Sequence, residues 1–149
     1  MAMRKISMGA MIAIAVTGLF LTMVTAGVLT ANQIVPAGGE ITAIGVGVYT
    51  DSDCTNNCTN IDWGTLAPGN STDRTIYVKN TGSIPVTLSM TATGWTPSDA
   101  NTYLTLTWNQ EGHSLDAGDS VAATLTLTAS TSAGNLTSFN FNVVITGTQ

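Results

Sequence analysis

VTLSMTATG, residues 86–94, is the stretch whose reading decides the fold. Val86, Leu88, Met90 and Ala92 occupy every second position, and Thr87, Ser89, Thr91 and Thr93 fill the gaps. Successive side chains of a strand point to opposite faces, so one face here is apolar and the other hydroxylated. Helical spacing would mix the two sets around a cylinder. The stretch therefore predicts a half-buried β-strand.

The same period of two recurs on both sides. YLTLTW sets Leu104, Leu106 and Trp108 against Thr105 and Thr107, and VAATLTLT puts Val121, Ala123, Leu125 and Leu127 on one face. FNFNVVIT puts Phe139, Phe141, Val143 and Ile145 on one face, and RTIYVKN adds Ile76 and Val78. AIGVGVY places Ile44, Val46 and Val48 together, as part of one strand over 41–50. A weaker strand is expected near 61–66. The intervening LAPGNS, NTGSIP, DAGDS and SAGN combine Gly with Asn, Asp, Ser or Pro, which is turn chemistry. Six clear strands and one weak one, joined by short turns, predict a mainly β fold: a single immunoglobulin-like antiparallel β-sandwich over 41–149 rather than a closed barrel. Trp108, in phase with Leu104 and Leu106, is expected in the core. Trp63 and Trp95 flank turns and are expected to plug the sandwich ends.

Upstream the pattern changes. Arg4 and Lys5 lie in a basic tip, residues 1–5, and residues 6–31 carry no charge. As a helix those 26 residues would span ~39 Å, enough for ~30 Å of hydrocarbon. The expectation is one N-terminal hydrophobic helix acting as a membrane anchor, with the basic tip cytoplasmic and the sandwich outside. The competing reading is a signal segment cut near Ala26, after the small-residue run Val24-Thr25-Ala26. Gly18, Thr22, Ala26 and Thr30 recur every four residues and could form a helix-packing face, as could Gly9, Ala13 and Thr17. Pro36, Gly38 and Gly39 mark residues 32–40 as a hinge.

Composition narrows the function classes. Only 9% of the 149 residues are charged, and the net charge is −5. Beyond the head the sole basic residues are Arg74 and Lys79. Nucleic-acid binding needs clusters of Lys and Arg, so it is not expected. The expected partners are the lipid bilayer and further copies of the chain.

The stretch IDWGTLAPGNSTDRTIYVKNTGSIPVTLSM, residues 61–90, carries Leu66-x-Pro68-Gly69, a polar strand, Asn80-x-Gly82 and a second alternating strand. It resembles the sandwich domains of microbial surface proteins. With Trp63-Gly64 before it and Trp95-x-Pro97 after, the chain resembles small archaeal envelope proteins with one N-terminal apolar helix. That group shades into TasA-like and bundling-pilus subunits, whose sandwiches exchange strands between neighbours. The resemblance implies an extracellular structural or adhesive role and no catalytic residues.

The candidate chemistry is sparse. Cys54 and Cys58 in DCTNNCT could close a small disulfide loop outside the membrane. A zinc pair would need further ligands, and His113 is the one histidine. Asn57, Asn70 and Asn135 each begin an N-x-Ser/Thr acceptor pattern in a turn, with Asn57 crowded by the disulfide. Asp51 and Asp53 read as turn residues rather than calcium ligands, as do Asp116 and Asp119. His113 has Glu111 nearby but no nucleophile elbow in reach. No metal site, cofactor, small-molecule ligand or enzymatic activity is expected. The reading is a surface structural protein that could form filaments through the strand at 41–50. The alternatives are a surface binding module, an adhesin or a sugar- or cation-binding domain, and a secreted sandwich.

Overall fold

The computed structural model describes residues 38–149. The anchor-or-signal reading of 6–31 and the packing face Gly18, Thr22, Ala26 and Thr30 lie outside the described residues. Among the described residues no helix is long and apolar enough to cross a membrane.

The described residues form a two-sheet β-sandwich. In chain order the strands are β1 (Gly38–Ile44), β2 (Gly47–Tyr49), β3 (Asn60–Asp62), β4 (Ser71–Lys79) and β5 (Val86–Thr96). A single helical turn, α1 (Ala100–Tyr103), leads to β6 (Leu104–Trp108), β7 (Ser114–Leu115), β8 (Ser120–Ala129) and β9 (Asn140–Thr148). One sheet has the order β3-β1-β9-β5-β7 and the other β2-β4-β8-β6.

Alternation explains the core. Leu88, Val143 and Ile145 of one sheet and Ile76, Val78, Leu125 and Leu127 of the other are buried between the layers. The threonines fall outside. On the second sheet Thr75 pairs with Thr124, and Thr105 and Thr107 pair with Thr128 and Thr126. β-Branched residues suit such a pleated surface, and Ser71 and Thr128 bridge their hydroxyls at 2.8 Å.

Three expectations about the N-terminal strands change. The strand read as 41–50 is two strands in different sheets: β1 lies along β9 and β2 along β4. The chain turns at Gly45, whose φ of 74° breaks the extended run. Ile44 is consequently 53% exposed while Val46 and Val48 are buried, so the three do not share a face. Secondly, β1 pairs with β9 in parallel, whereas the other strand pairs are antiparallel. Thirdly, Gly38–Glu40, read as hinge, already belong to β1 and pair with β3.

Asn80 ties the turn after β4 to β7. It is fully buried and fully bonded: its Nδ2 donates to the carbonyls of Ile84 (2.8 Å) and Leu115 (3.0 Å), and its Oδ1 accepts from the Gly82 amide (2.9 Å). Burying an amide side chain this deeply is tolerated because its partners are met.

Candidate functional site: the seat of the N-terminal strand

The immunoglobulin arrangement places strands A, B, E and D in one sheet and C, F and G in the other. Here β2-β4-β8-β6 follows the first pattern and β5-β9 supplies C and F. The position beside F, normally the last strand, is held by β1, the first. Its register runs from Ile41 opposite Val143 to Ile44 opposite Thr146.

Local sequence prepares this seat. Ile41 is the apolar plug of β1 and is buried, whereas Glu40 and Thr42 on either side are exposed. β3 closes the far side along Gly38–Glu40, and the Ile41 amide donates to the Thr59 carbonyl at 2.9 Å. β3 is pinned in turn by Arg74, whose Nε donates to the Asp62 carbonyl at 2.6 Å. Trp63, just after β3, is completely buried. Its ring stacks on Phe141 of β9 with centroids 5.8 Å apart. Its indole N–H has no hydrogen-bond partner among the described residues. Trp63 is thus a core residue at the strand seat, not an end plug.

Trp108 is only partly buried, because β6 is an edge strand. It lines a shallow cleft of about 240 Å³ with Met90, Leu106, Thr107 and Glu111. The cleft is already structurally engaged. Glu111 Oε2 accepts from the Trp108 indole N–H at 2.7 Å and from the Met90 amide at 3.1 Å. The carboxylate therefore covers part of the β5 edge that the two-residue β7 leaves open, a recognised protection against stray strand pairing.

The loop from Thr50 to Cys58 is organised by Asp51. Its carboxylate accepts from the Thr55 hydroxyl (2.6 Å) and from the Thr55 and Asn56 amides, the closest at 2.8 Å. The Thr55 hydroxyl first, then the Asn56 amide, hold the Asp51 carboxyl below its usual range. Cys54 and Cys58 are separate thiols here. Cys54 Sγ points to the Ser52 carbonyl and Cys58 Sγ to that of Asn60. Burial pushes the Cys58 thiol up.

Asn57, Asn70 and Asn135 are all exposed. Asn70 and the segment before Asn135 lie at one end of the sandwich: the Ala129 amide donates to the Asn70 carbonyl, and the Ala133 amide to that of Ser130. His113 is exposed, and its carbonyl receives the Leu88 amide at 2.8 Å. Among the described residues no three His, Cys, Asp or Glu side chains converge as a metal site. The residues missed in the sequence are Asn80 and Glu111. Asn80 stood out only as part of an Asn-x-Gly turn, and Glu111 only as a neighbour of His113.

No family model matches the chain, and no characterised protein matches it. Among solved structures the chain is similar to the ASH / PapD-like domain of human CEP192 (PapD-like domain 7), with a TM-score of 0.33 and 6% sequence identity over 80% of this chain and 89% of that one.

Proposed function

We propose that this chain is a non-enzymatic structural protein of the cell surface, anchored by residues 6–31 and self-associating through β1. The observation that carries this reading is the position of β1. A strand that follows Pro36 and opens on Gly38 and Gly39 occupies the seat beside β9 in parallel, and the chain leaves that sheet at Gly45. Such a strand can leave its own seat and enter that of a neighbour without dismantling β4, β5, β8 or β9. Strand addition of this kind draws affinity from main-chain hydrogen bonds and specificity from alternate side-chain pockets.

An extracellular setting would also suit the remaining features. An oxidising environment favours a Cys54–Cys58 bridge, and the exposed Asn70 and Asn135 could carry sugar without disturbing the sheets. A threonine-rich exterior with few charges needs no electrostatic partner.

Two measurements on one membrane preparation test the reading. N-terminal sequencing should find residues before Gly27 present, and light scattering of the detergent-solubilised full chain should find multimers. A mature N-terminus at Gly27 would remove the anchor and favour a secreted sandwich. A monomer across the concentration range would remove self-association.

A further inference from the structure

We infer that two glycines at the two ends of the β1 ladder, Gly39 and Gly45, form a register lock. It dictates the one alignment in which this strand, from its own chain or from a second copy, seats along β9. The part concerning a second copy rests on the strand-exchange reading proposed above; the lock itself does not.

The lock is visible at both ends of the parallel ladder. Continuing the observed register from Ile41 opposite Val143 places Gly39 opposite Phe141 and Gly45 opposite Gly147. A Cβ on Gly39 would lie 2.7 Å from the Phe141 carbonyl oxygen and 3.6 Å from the Trp63 indole nitrogen. A Cβ on Gly45 would lie 2.6 Å from the Gly147 carbonyl oxygen, at a φ of 74° that side chains rarely adopt. The obstructing atoms belong to the backbone of β9, so no rotamer change relieves them. Gly38, next to Gly39, faces open space: a Cβ there would meet nothing within 4 Å.

These contacts discriminate between alignments. A one-residue slip turns Ile41 outward and Thr42 inward, which the buried seat opposes. A two-residue slip preserves the alternation and is the serious competitor. In one direction it brings Ile41 opposite Phe141, and in the other Ala37. Either residue drives a Cβ into the Phe141 carbonyl. Among slips of up to two residues, the observed register alone puts glycine at both contacts. A neighbour's strand has the same spacing, so it would be held to the same alignment, and the spacing selects for a second copy of this chain.

The test uses the full chain in detergent micelles. Gly39→Ala should lower Tm by roughly 5–15 °C, the consequence of overpacking against backbone. Gly38→Ala should leave Tm within about 3 °C. Equal shifts for the two variants would overturn the lock. Should Gly39→Ala fail to fold, register is read in a chain with Cys54 and Cys58 replaced by Ser. There Thr42→Cys/Val144→Cys should form a disulfide, and the slipped pair Thr42→Cys/Thr146→Cys should not. Equal yields would overturn the lock. Exchange between copies is followed by energy transfer after mixing two labelled pools. Exchange that Gly39→Ala reduces about tenfold, and Gly38→Ala does not, supports the lock on a partner's strand. Exchange indifferent to Gly39→Ala overturns that extension. No exchange even for the unaltered chain, with the Tm and register results as expected, leaves the lock standing and removes the strand-exchange reading.

Discussion

Trp95 and Phe141 lie face to face, with ring centroids 4.2 Å apart and planes inclined by 20°. Phe141 also stacks on Trp63 and, at 6.1 Å, on Phe139. One phenyl ring on β9 therefore joins the C-terminal end of β5 to the strand seat. Phe141→Ala is expected to cost about 3–5 kcal/mol, because the cavity it leaves is walled by rigid rings that cannot collapse. Urea unfolding measures this. A loss below about 1 kcal/mol would show that the ring cluster is incidental to stability.

Asn80 offers a test of polar satisfaction. Asn80→Ala leaves the Ile84 and Leu115 carbonyls and the Gly82 amide without their partner. The expected loss is about 2–3 kcal/mol by chemical denaturation, most of it from the Leu115 carbonyl, whose bond to Asn80 is buried, since a stranded buried polar group costs more than a hydrogen bond contributes. Asn80→Asp should be nearly as damaging, because a carboxylate cannot donate to two carbonyls. A neutral result for Asn80→Asp would contradict the assigned orientation of the amide.

Glu111 is expected to matter for association more than for stability. Glu111→Ala removes the acceptor for the Met90 amide and the Trp108 indole, exposing the β5 edge. Sedimentation should show increased aggregation of the variant, and Trp108 emission should shift as its N–H turns to water. Glu111→Gln retains a carbonyl acceptor and should behave close to the unaltered chain. Matching behaviour of the Ala and Gln variants would refute edge protection.

Cys58 predicts a pH dependence with a definite sign. Burial raises its folded pKa above the ordinary 9.0. Above pH about 9 the unfolded chain loses this proton while the folded chain keeps it, so stability falls as pH rises. The full contribution is present below that range. Cys58→Ser should abolish the extra alkaline loss in reduced protein, and a Cys54–Cys58 bridge should abolish it too while adding about 2 kcal/mol from loop closure. Alkaline curves that coincide for reduced protein and Cys58→Ser would contradict the buried thiol.

Much of this architecture was legible because alternation is local. The inward faces of β4, β5, β8 and β9 are those that the period of two marked, and the turns fall where Gly, Asn and Pro cluster. The rest depends on contacts remote in sequence. Ile44, Val46 and Val48 keep one period across Gly45, so periodicity cannot reveal that the chain changes sheets there. The parallel pairing of β1 with β9 joins segments about a hundred residues apart and leaves no local trace. Trp108 matches the core period, yet it lies on an edge strand. Trp63 sits after a three-residue strand too short to show a period, yet it is wholly buried. At the site, Cys54 and Cys58 were conspicuous by type, whereas Gly39 and Gly45 carry no side chain to signal that they face a carbonyl.

The most direct test of strand sharing uses two full-length pools lacking Cys54 and Cys58, one carrying Thr42→Cys and the other Val144→Cys, mixed in detergent micelles and then oxidised. These positions face each other in the β1–β9 ladder. Neighbouring strands lie about 4.8 Å apart, within reach of a disulfide. Exchange of β1 between copies predicts a covalent heterodimer linking the two pools. Recovery of unlinked monomers alone, under conditions in which the double variant closes its own bridge, would contradict it.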